Sequence, residues 1–156
     1  MSMLPKVEIF AGLSEEEQAA LENSCVTRNY PRNTVVINEN DFADSLYVIE
    51  SGRVKVYCSD KNGKEYIMNT LGPGDYFGEL ALLDDDRRSA SVRTLEKSTF
   101  TIMFKDEFHA IMERHPKIAQ TLIRNLTRRV RKLTENVKSL ALQDVYGRVT
   151  KVLMTL

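Results

Sequence analysis

The sequence predicts a mostly β domain, built as a sandwich or a rolled barrel, with helices on either side and one long helix at its C-terminal end. Two patterns support this. Short apolar runs separated by turn signals occupy the middle of the chain, from about Val35 to Phe104. A helical pattern follows, in which apolar residues are spaced alternately by four and three. A length of 156 residues suits one compact domain with one added element.

The N-terminal block contains one short predicted helix, in the segment LSEEEQAALEN. Ser14 is placed to cap this helix, and Glu17, three residues later, completes a capping box. Leu13 and Leu21 supply apolar contacts. We therefore expect the helix to pack against the β domain as a support or a lid.

Turn signals divide the β block into several short strands. Ser51-Gly52 separates two apolar runs of SLYVIESGRVKVYC. Asn62-Gly63 is the pair that best tolerates the positive φ of a tight hairpin, and LGPGDY is a further break. Several short strands with frequent turns are typical of a β sandwich or a rolled barrel.

The helical block starts at Asp106, and Pro116 is tolerated as the first residue of its second helix. That second helix has the 3.5-residue apolar repeat of a coiled-coil seam. We predict a parallel homodimer through residues 119–140; a helix folded back on its own sheet is the alternative. The seam residues are Ala119, Ile123, Leu126, Val130, Leu133, Val137 and Leu140.

Composition argues against several classes of protein. The formal net charge is zero, so no global field attracts nucleic acid or an anionic membrane. We interpret the basic residues of segment 124–132 as a solvated helix flank; direct contact with nucleic acid is the alternative. No segment approaches the roughly 20 apolar residues of a membrane span. Cys25 and Cys58 lack metal-ligand spacing and are expected to be reduced thiols. We expect a cytoplasmic protein without a membrane partner.

The segment FGELALLDDDRRSASV has the residue types of an anion site. Gly78 and Glu79 stand at the start of a short predicted helix, where backbone N–H groups favour an anion. The planar guanidinium of Arg88 suits two phosphate oxygens, and Ser89 adds a hydroxyl and an N–H. Glu79 only accepts hydrogen bonds when ionised, so it should take sugar hydroxyls. A phosphate and a sugar hydroxyl held close together describe a nucleotide.

The same segment resembles the phosphate-binding cassette of cyclic-nucleotide-binding domains, including those of bacterial CRP/FNR-type transcription regulators. The resemblance implies a double-stranded β-roll, jelly-roll-like sensor domain followed by a long dimerisation helix. It implies cyclic AMP or cyclic GMP as the ligand, no further cofactor, no metal and no catalytic residues. The ligand contacts that it implies in the cassette are Gly78, Glu79, the amides of Leu80 and Ala81, Arg88 and Ser89.

The resemblance extends over most of the chain. SLYVIESGRVKVY is similar to the family's early strands, and LTRRVRKLTENVKSLALQDVYGRVTKVLMTL is similar to the dimer helix and hinge of the bacterial regulators. The implied division is 1–115 for the β-roll with its flanking helices, 116–143 for the dimerisation helix, and 144–156 for the hinge and the start of a DNA-binding domain. DNA contact is expected only through a C-terminal domain beyond this chain.

Two residues of the long helix complete the predicted ligand site. Thr134 lies where the family resemblance places a contact with the base. Its neighbour Leu133 can neither donate nor accept a hydrogen bond, so only Thr134 is left for base recognition. In the heptad register, Arg129 and Thr134 occupy flanking positions that can approach each other across a parallel pair of helices.

The cassette also departs from the family pattern. Arg87 stands where many kinase-type cassettes have proline, which leaves the loop before Arg88 less restrained. Asp84, Asp85 and Asp86 place three carboxylates near a site meant for an anion. We expect these carboxylates on the solvent side.

Three other interpretations stay open from sequence. The fold could sense another effector. An iron–sulfur cluster needs four thiolates, and the chain has two cysteines. His109 is expected to be a core or cap residue and His115 a pre-proline residue, rather than haem ligands. A small-barrel enzyme would need metal ligands or a nucleophile–base pair, and the β block contains no histidine. The cassette could also be a structural module that binds nothing. The favoured interpretation is a ligand-sensing regulatory domain and not an enzyme.

Overall fold

The computed structural model describes Val7 and residues 10–155. The described helices are α1 (Glu15–Asn23), a 3-10 helix (Glu79–Leu82), α2 (Lys105–Arg114) and α3 (Pro116–Thr155). The described strands are β1 (Val26–Tyr30), β2 (Val35–Ile37), β3 (Ser45–Ser51), β4 (Val54–Ser59), β5 (Glu65–Leu71), β6 (Tyr76–Phe77), β7 (Ser91–Thr94) and β8 (Ser98–Phe104).

The strands form two antiparallel four-stranded sheets, with the orders β1-β8-β3-β6 and β2-β7-β4-β5. Consecutive strands therefore often lie in different sheets, as in a β-roll. Inward side chains of both sheets meet in one core, where the aromatic rings of Tyr47, Phe77 and Phe100 pack against Val54 and Val92. The predicted mostly β, jelly-roll-like class is confirmed.

The predicted start of the β block at Val35 was wrong by one strand, because β1 precedes it. This strand pairs with β8 along its whole length, from Val26 opposite Ile102 to Tyr30 opposite Ser98. Its sequence, VTRNY, is mostly polar and mostly exposed, so it has little apolar alternation to reveal it. Hydrogen bonding to the neighbouring strand decides its conformation.

The predicted turns are present. Gly52, between β3 and β4, has φ +97°, and a Cβ there would lie 2.1 Å from Ser98 Oγ. Only glycine fits this conformation and this close approach. Gly63 has φ +82° in the turn between β4 and β5, where the Asn62-Gly63 hairpin was predicted.

The helices form a second core on one side of the β-roll. The predicted capping box of α1 is present, since the Glu17 amide donates to Ser14 Oγ at 3.2 Å and the Ser14 amide donates to Glu17 Oε1 at 3.4 Å. Leu21 of α1 is buried beside side chains of α2, α3 and the strands. The residues of this core include Phe10, Leu46, Met103, Phe108, Ile118 and Leu122.

The long helix α3 begins at Pro116, as predicted, and runs for 40 residues. Its N-terminal part lies on the domain through Ile118, Leu122 and Asn125, and Asn125 Nδ2 donates to the carbonyl of Ala11 at 3.0 Å. The helix continues through the predicted boundary between 143 and 144. The three-part division of the chain stays a prediction, and residues 1–6, 8, 9 and 156 of it lie outside the described residues.

Both cysteines are free and half-buried. Burial raises the pKa of Cys25 to about 12, which keeps this thiol protonated and unreactive at neutral pH. Among the residues that the structure describes, no helix combines the length and the apolar character needed to cross a lipid bilayer.

Candidate functional site

The candidate site begins with a left-handed glycine. Gly78 has φ +83° and links β6 to the 3-10 helix, which lies where a short helix was predicted but is wound more tightly than an α-helix. A Cβ at this position would lie 2.3 Å from Arg88 Nη1 and 2.8 Å from the Ser45 carbonyl oxygen. Glycine is therefore required both by the backbone conformation and by the close approach of Arg88.

Arg88 is the buried charge of the site, with only 6% of its surface exposed. Its Nη2 donates to the Ser45 carbonyl at 2.9 Å and to Ser45 Oγ at 3.2 Å, and Asp44 Oδ1 lies 3.9 Å away. The guanidinium lies over the ring of Tyr47, 5.9 Å from its centroid. Burial lowers the pKa of Arg88, but an arginine remains charged at physiological pH.

The second terminal nitrogen of Arg88, Nη1, differs from Nη2 in its surroundings. Nη1 is buried and has no hydrogen-bond partner among the described residues. A buried charged donor without an acceptor is costly, because it has lost water without gaining a replacement. An anion bound beside Arg88 would satisfy it.

Arg88 opens onto a cavity of about 220 Å³. This cavity brings together all six residues that were predicted in the cassette. Its lining consists of Ala43, Gly78, Glu79, Leu80, Ala81, Asp84, Asp86, Arg87, Arg88 and Ser89. Their individual ligand contacts stay predictions. The amide of Ala81, for example, donates to the Gly78 carbonyl at 3.1 Å and would have to leave or share that bond to contact an anion.

Glu79 is held by the long helix. Its Oε1 lies 3.1 Å from Arg129 Nη2, and the Glu79 side chain is 15% exposed. From sequence, Arg129 was expected near Thr134 across a helix pair, whereas the structure places it against Glu79 of the same chain. The spacing of the domain-facing residues Ile118, Leu122, Asn125 and Arg129, by four, three and four, is the signal that could have predicted this contact.

Thr134 lies outside the cavity lining. It is exposed, and its Oγ1 donates to the carbonyl of Val130, one turn earlier in α3, at 2.9 Å. A hydroxyl that donates in this way still has lone pairs that accept a hydrogen bond. Its contact with a base stays a prediction.

The three aspartates are exposed to solvent, as expected. Asp84 and Asp86 nevertheless also line the cavity. Sequence reasoning missed the groups that hold the site from outside the cassette, which are Asp44, Ser45 and Lys105. They are distant from the cassette in the chain, and no local pattern marks them.

Fold and site together define a β-roll domain with a small cavity beside one buried arginine. The family model of the cyclic nucleotide-binding domain matches residues 27–115. The chain belongs to the cyclic nucleotide-binding domain family, and the resemblance seen in the cassette is confirmed.

Several bacterial regulators are similar over nearly the whole chain. The CRP-like cAMP-activated global transcriptional regulator of Mycobacterium tuberculosis is 34% identical over 154 residues, which cover 99% of this chain and 69% of that protein. The cyclic AMP receptor protein of Thermus thermophilus is 31% identical over 148 residues, which cover 95% of this chain and 68% of that protein.

Solved structures agree with this assignment. The N-terminal domain of a transcriptional regulator from Streptomyces coelicolor superposes with a TM-score of 0.80 at 28% identity, covering 87% of this chain and 95% of that one. The catabolite activator protein of Thermus thermophilus has a TM-score of 0.70 at 31% identity, covering 86% of this chain and 63% of that one.

Proposed function

We propose that this chain is the sensor part of a cytoplasmic bacterial transcription regulator, which binds cyclic AMP or cyclic GMP and relays the binding through a dimer of α3 to a DNA-binding domain. The observation that carries the proposal is the buried Arg88, which borders a cavity and whose Nη1 has no acceptor within the part of the chain that the structure describes. The names of the relatives from Mycobacterium tuberculosis and Thermus thermophilus support cyclic AMP and a regulatory, non-enzymatic role.

The size of the cavity favours a particular placement of the nucleotide. A volume of about 220 Å³ is smaller than the roughly 300–1,000 Å³ of sites that enclose a whole drug-sized ligand. We place the phosphate at Arg88 and the ribose hydroxyl at Glu79 inside the cavity, with the base extending beyond it. The contact of Glu79 with Arg129 shows that α3 passes beside the cavity, so the base would approach this helix.

The same contact offers a route from ligand to helix. A ribose hydroxyl that donates to Glu79 would share this carboxylate with Arg129 and so change the geometry of the ion pair. A ligand shifts a conformational equilibrium only through a difference in its affinity for the two states. Glu79 is both the partner of Arg129 in α3 and a predicted ligand group. The affinity for the ligand would therefore differ between states with and without this ion pair.

The exposed face of α3 supports the homodimer. Five seam residues are between 56% and 66% exposed, namely Ile123, Val130, Leu133, Val137 and Leu140. Among the described residues from Val130 to Met154, none of the helix is buried, which argues against a helix folded back on its own sheet. A second copy would cover this apolar row in a parallel coiled coil.

The apolar pattern changes face after Leu140. The seam would continue at Asp144 and Gly147, which are not apolar, whereas Leu142, Val145, Val149 and Val152 form a second apolar row. This second row lies on a different side of the helix, so the same partner helix cannot cover both rows. The change supports the predicted boundary near 143 and 144 and a different environment for the segment after it.

Calorimetric titration with cyclic AMP and with cyclic GMP tests the proposal directly. We expect saturable binding of at least one of them, with one site per chain. Absence of binding by both would contradict the proposed ligand and favour another effector or a structural module.

Glu79→Leu is expected to remove recognition of the ribose hydroxyl. The parent should bind the cyclic nucleotide about tenfold more tightly than its 2′-deoxy analogue, because one hydrogen bond to a carboxylate is lost with the hydroxyl. The variant should bind both ligands alike. A variant that still prefers the ribose form would show that Glu79 serves only the ion pair with Arg129.

Thr134→Ala is expected to change base selectivity. Loss of one hydrogen bond should weaken binding of the preferred nucleotide by about 0.5–1.5 kcal/mol, and of the other less, while the phosphate contacts persist. Titrating both nucleotides on parent and variant measures the difference. Equal losses would mean that Thr134 supports the helix, through its bond to Val130, and does not read the base.

A further inference from the structure

Side chains of helix α2 bind the end of the 3-10 helix, which lines the cavity, and the loop that follows it. The Nζ of Lys105 binds the carbonyl of Asp84 and the carboxylate of Asp85. One turn later on the same face of α2, His109 Nε2 lies 2.9 Å from the carbonyl of Leu82 and donates to it. The carbonyls at the end of a helix lack partners within the helix, so side-chain donors stabilise them. Lys105 and His109 of α2 therefore both hydrogen-bond to the cassette.

Lys105 also binds the segment that holds Arg88. Its backbone N–H donates to the carbonyl of Asp44 at 2.8 Å. Asp44 Oδ1 accepts from Ser45 Oγ at 3.0 Å and lies 3.9 Å from Arg88 Nη2. One residue thus connects the acidic loop (residues 84–86) with the strand start that holds Arg88.

The charged end of Lys105 lies against the acidic loop and has limited contact with water. Its side chain is only 15% exposed, whereas that of Asp85 is 98% exposed. The hydrogen bond from Lys105, followed by its charge, holds the pKa of Asp85 below its ordinary value. Lys105 therefore holds an outward-pointing carboxylate and fixes the direction in which the acidic loop leaves the 3-10 helix.

That direction matters because two other carboxylates of the loop border the cavity. Asp84 Oδ1 accepts from the amide of Asp86 at 3.2 Å, and Asp86 Oδ1 accepts from the amide of Arg87 at 2.8 Å. These bonds lie within the loop, so they restrain its shape but not its position. A loop released from α2 could bring Asp84 and Asp86 closer to a bound anion, and like charges a few ångströms apart repel each other.

We propose that Lys105 is a positioning residue of the anion site, which sets cyclic-nucleotide affinity by holding Asp84 and Asp86 away from the phosphate without touching the ligand. The role rests on the proposed function of the cavity. It concerns the loop and α2, and neither the phosphate contact of Arg88 nor the contact between Glu79 and Arg129 is part of it.

The test is a set of titrations with the nucleotide that the parent binds. Lys105→Met keeps the apolar stem and removes the charge, and it should weaken binding about tenfold. Lys105→Arg should restore affinity to within about threefold of the parent, since a guanidinium also donates to both oxygen partners. Lys97→Met, which removes an exposed lysine from the turn before β8, is the matched control and should leave affinity unchanged.

A rescue experiment separates charge positioning from a general loss of structure. In a background of Asp84→Asn with Asp86→Asn, which keeps an acceptor oxygen at both residues, Lys105→Met should change affinity less than about twofold. An undiminished tenfold loss in that background would overturn the inference. Asp85→Asn removes only the carboxylate that Lys105 holds, so it should weaken binding about two- to fivefold even if Lys105→Met does not fold.

Hydrogen exchange without nucleotide gives a readout that does not depend on binding. Amides of residues 83–87 should exchange about tenfold faster in Lys105→Met than in the parent or in Lys97→Met. A parent that binds nucleotide, together with a Lys105→Met variant of unchanged affinity and exchange, overturns this inference alone. A parent that binds neither nucleotide overturns the proposed function, while the exchange rates still decide whether Lys105 orders the loop.

Discussion

Replacing Arg88 by leucine is expected to weaken cyclic-nucleotide binding by about 2–4 kcal/mol, which is roughly thirtyfold to a thousandfold in the dissociation constant. The guanidinium is 6% exposed, and its Nη1 has no acceptor among the described residues. A phosphate bound in the cavity would then lose its buried counter-charge. Calorimetry on parent and variant measures the loss, and circular dichroism checks that the variant folds.

Arg87→Leu is the matched control, because it removes the same charge from the neighbouring residue. Arg87 is exposed, lies over the ring of Phe42 at 4.3 Å, and donates from Nη1 to the carbonyl of Asn40 at 2.9 Å. Its loss should change binding several-fold at most, through the general positive potential near the cavity. Equal affinity of the Arg88→Leu variant and the parent would show that the cassette does not hold the phosphate through Arg88.

Val130→Glu is expected to convert a dimer into monomers. Val130 is 61% exposed in the single chain and occupies a central seam position of α3. In a parallel pair the two substituted carboxylates would face each other in the apolar seam, where burying like charges costs several kcal/mol. Sedimentation equilibrium at micromolar concentration should show a dimer for the parent and a monomer for the variant.

Ser139→Glu controls for the added charge, since it introduces one carboxylate on α3 outside the seam. Ser139 is exposed and lies between Val137 and Leu140 in the chain, on a different side of the helix. This variant should remain dimeric. A parent that is monomeric at micromolar concentration would contradict the coiled-coil proposal before any substitution is compared.

The cassette could be predicted from sequence because its parts are contiguous. Gly78, Glu79, Arg88 and Ser89 lie within twelve residues, and the structure places all four in the lining of one cavity. The capping box of α1 and the hairpin at Asn62-Gly63 are also local. In each case the interacting groups are close in the chain, so residue type and spacing suffice to predict the geometry.

The contacts that hold the site together depended on the tertiary structure. Ser45 and Asp44 reach Arg88 from the start of β3, Lys105 reaches the acidic loop from α2, and Arg129 reaches Glu79 from α3. None of these pairs shares a local pattern. Their approach is set by the order of strands in two sheets and by the way α3 lies on the domain.

The sequence by itself determined the class of fold, the phosphate-type cassette and the apolar seam of the long helix. The tertiary structure decided that Arg129 of α3 pairs with Glu79 and that Thr134 lies outside the cavity lining. It also decided that β1, with little apolar alternation, becomes a strand by pairing with β8. The physical reason is common to these cases. Periodicity tells which face of an element is apolar, and local residue type tells where the chain turns. The partner of a polar side chain depends instead on which distant segment is brought within hydrogen-bond reach by packing.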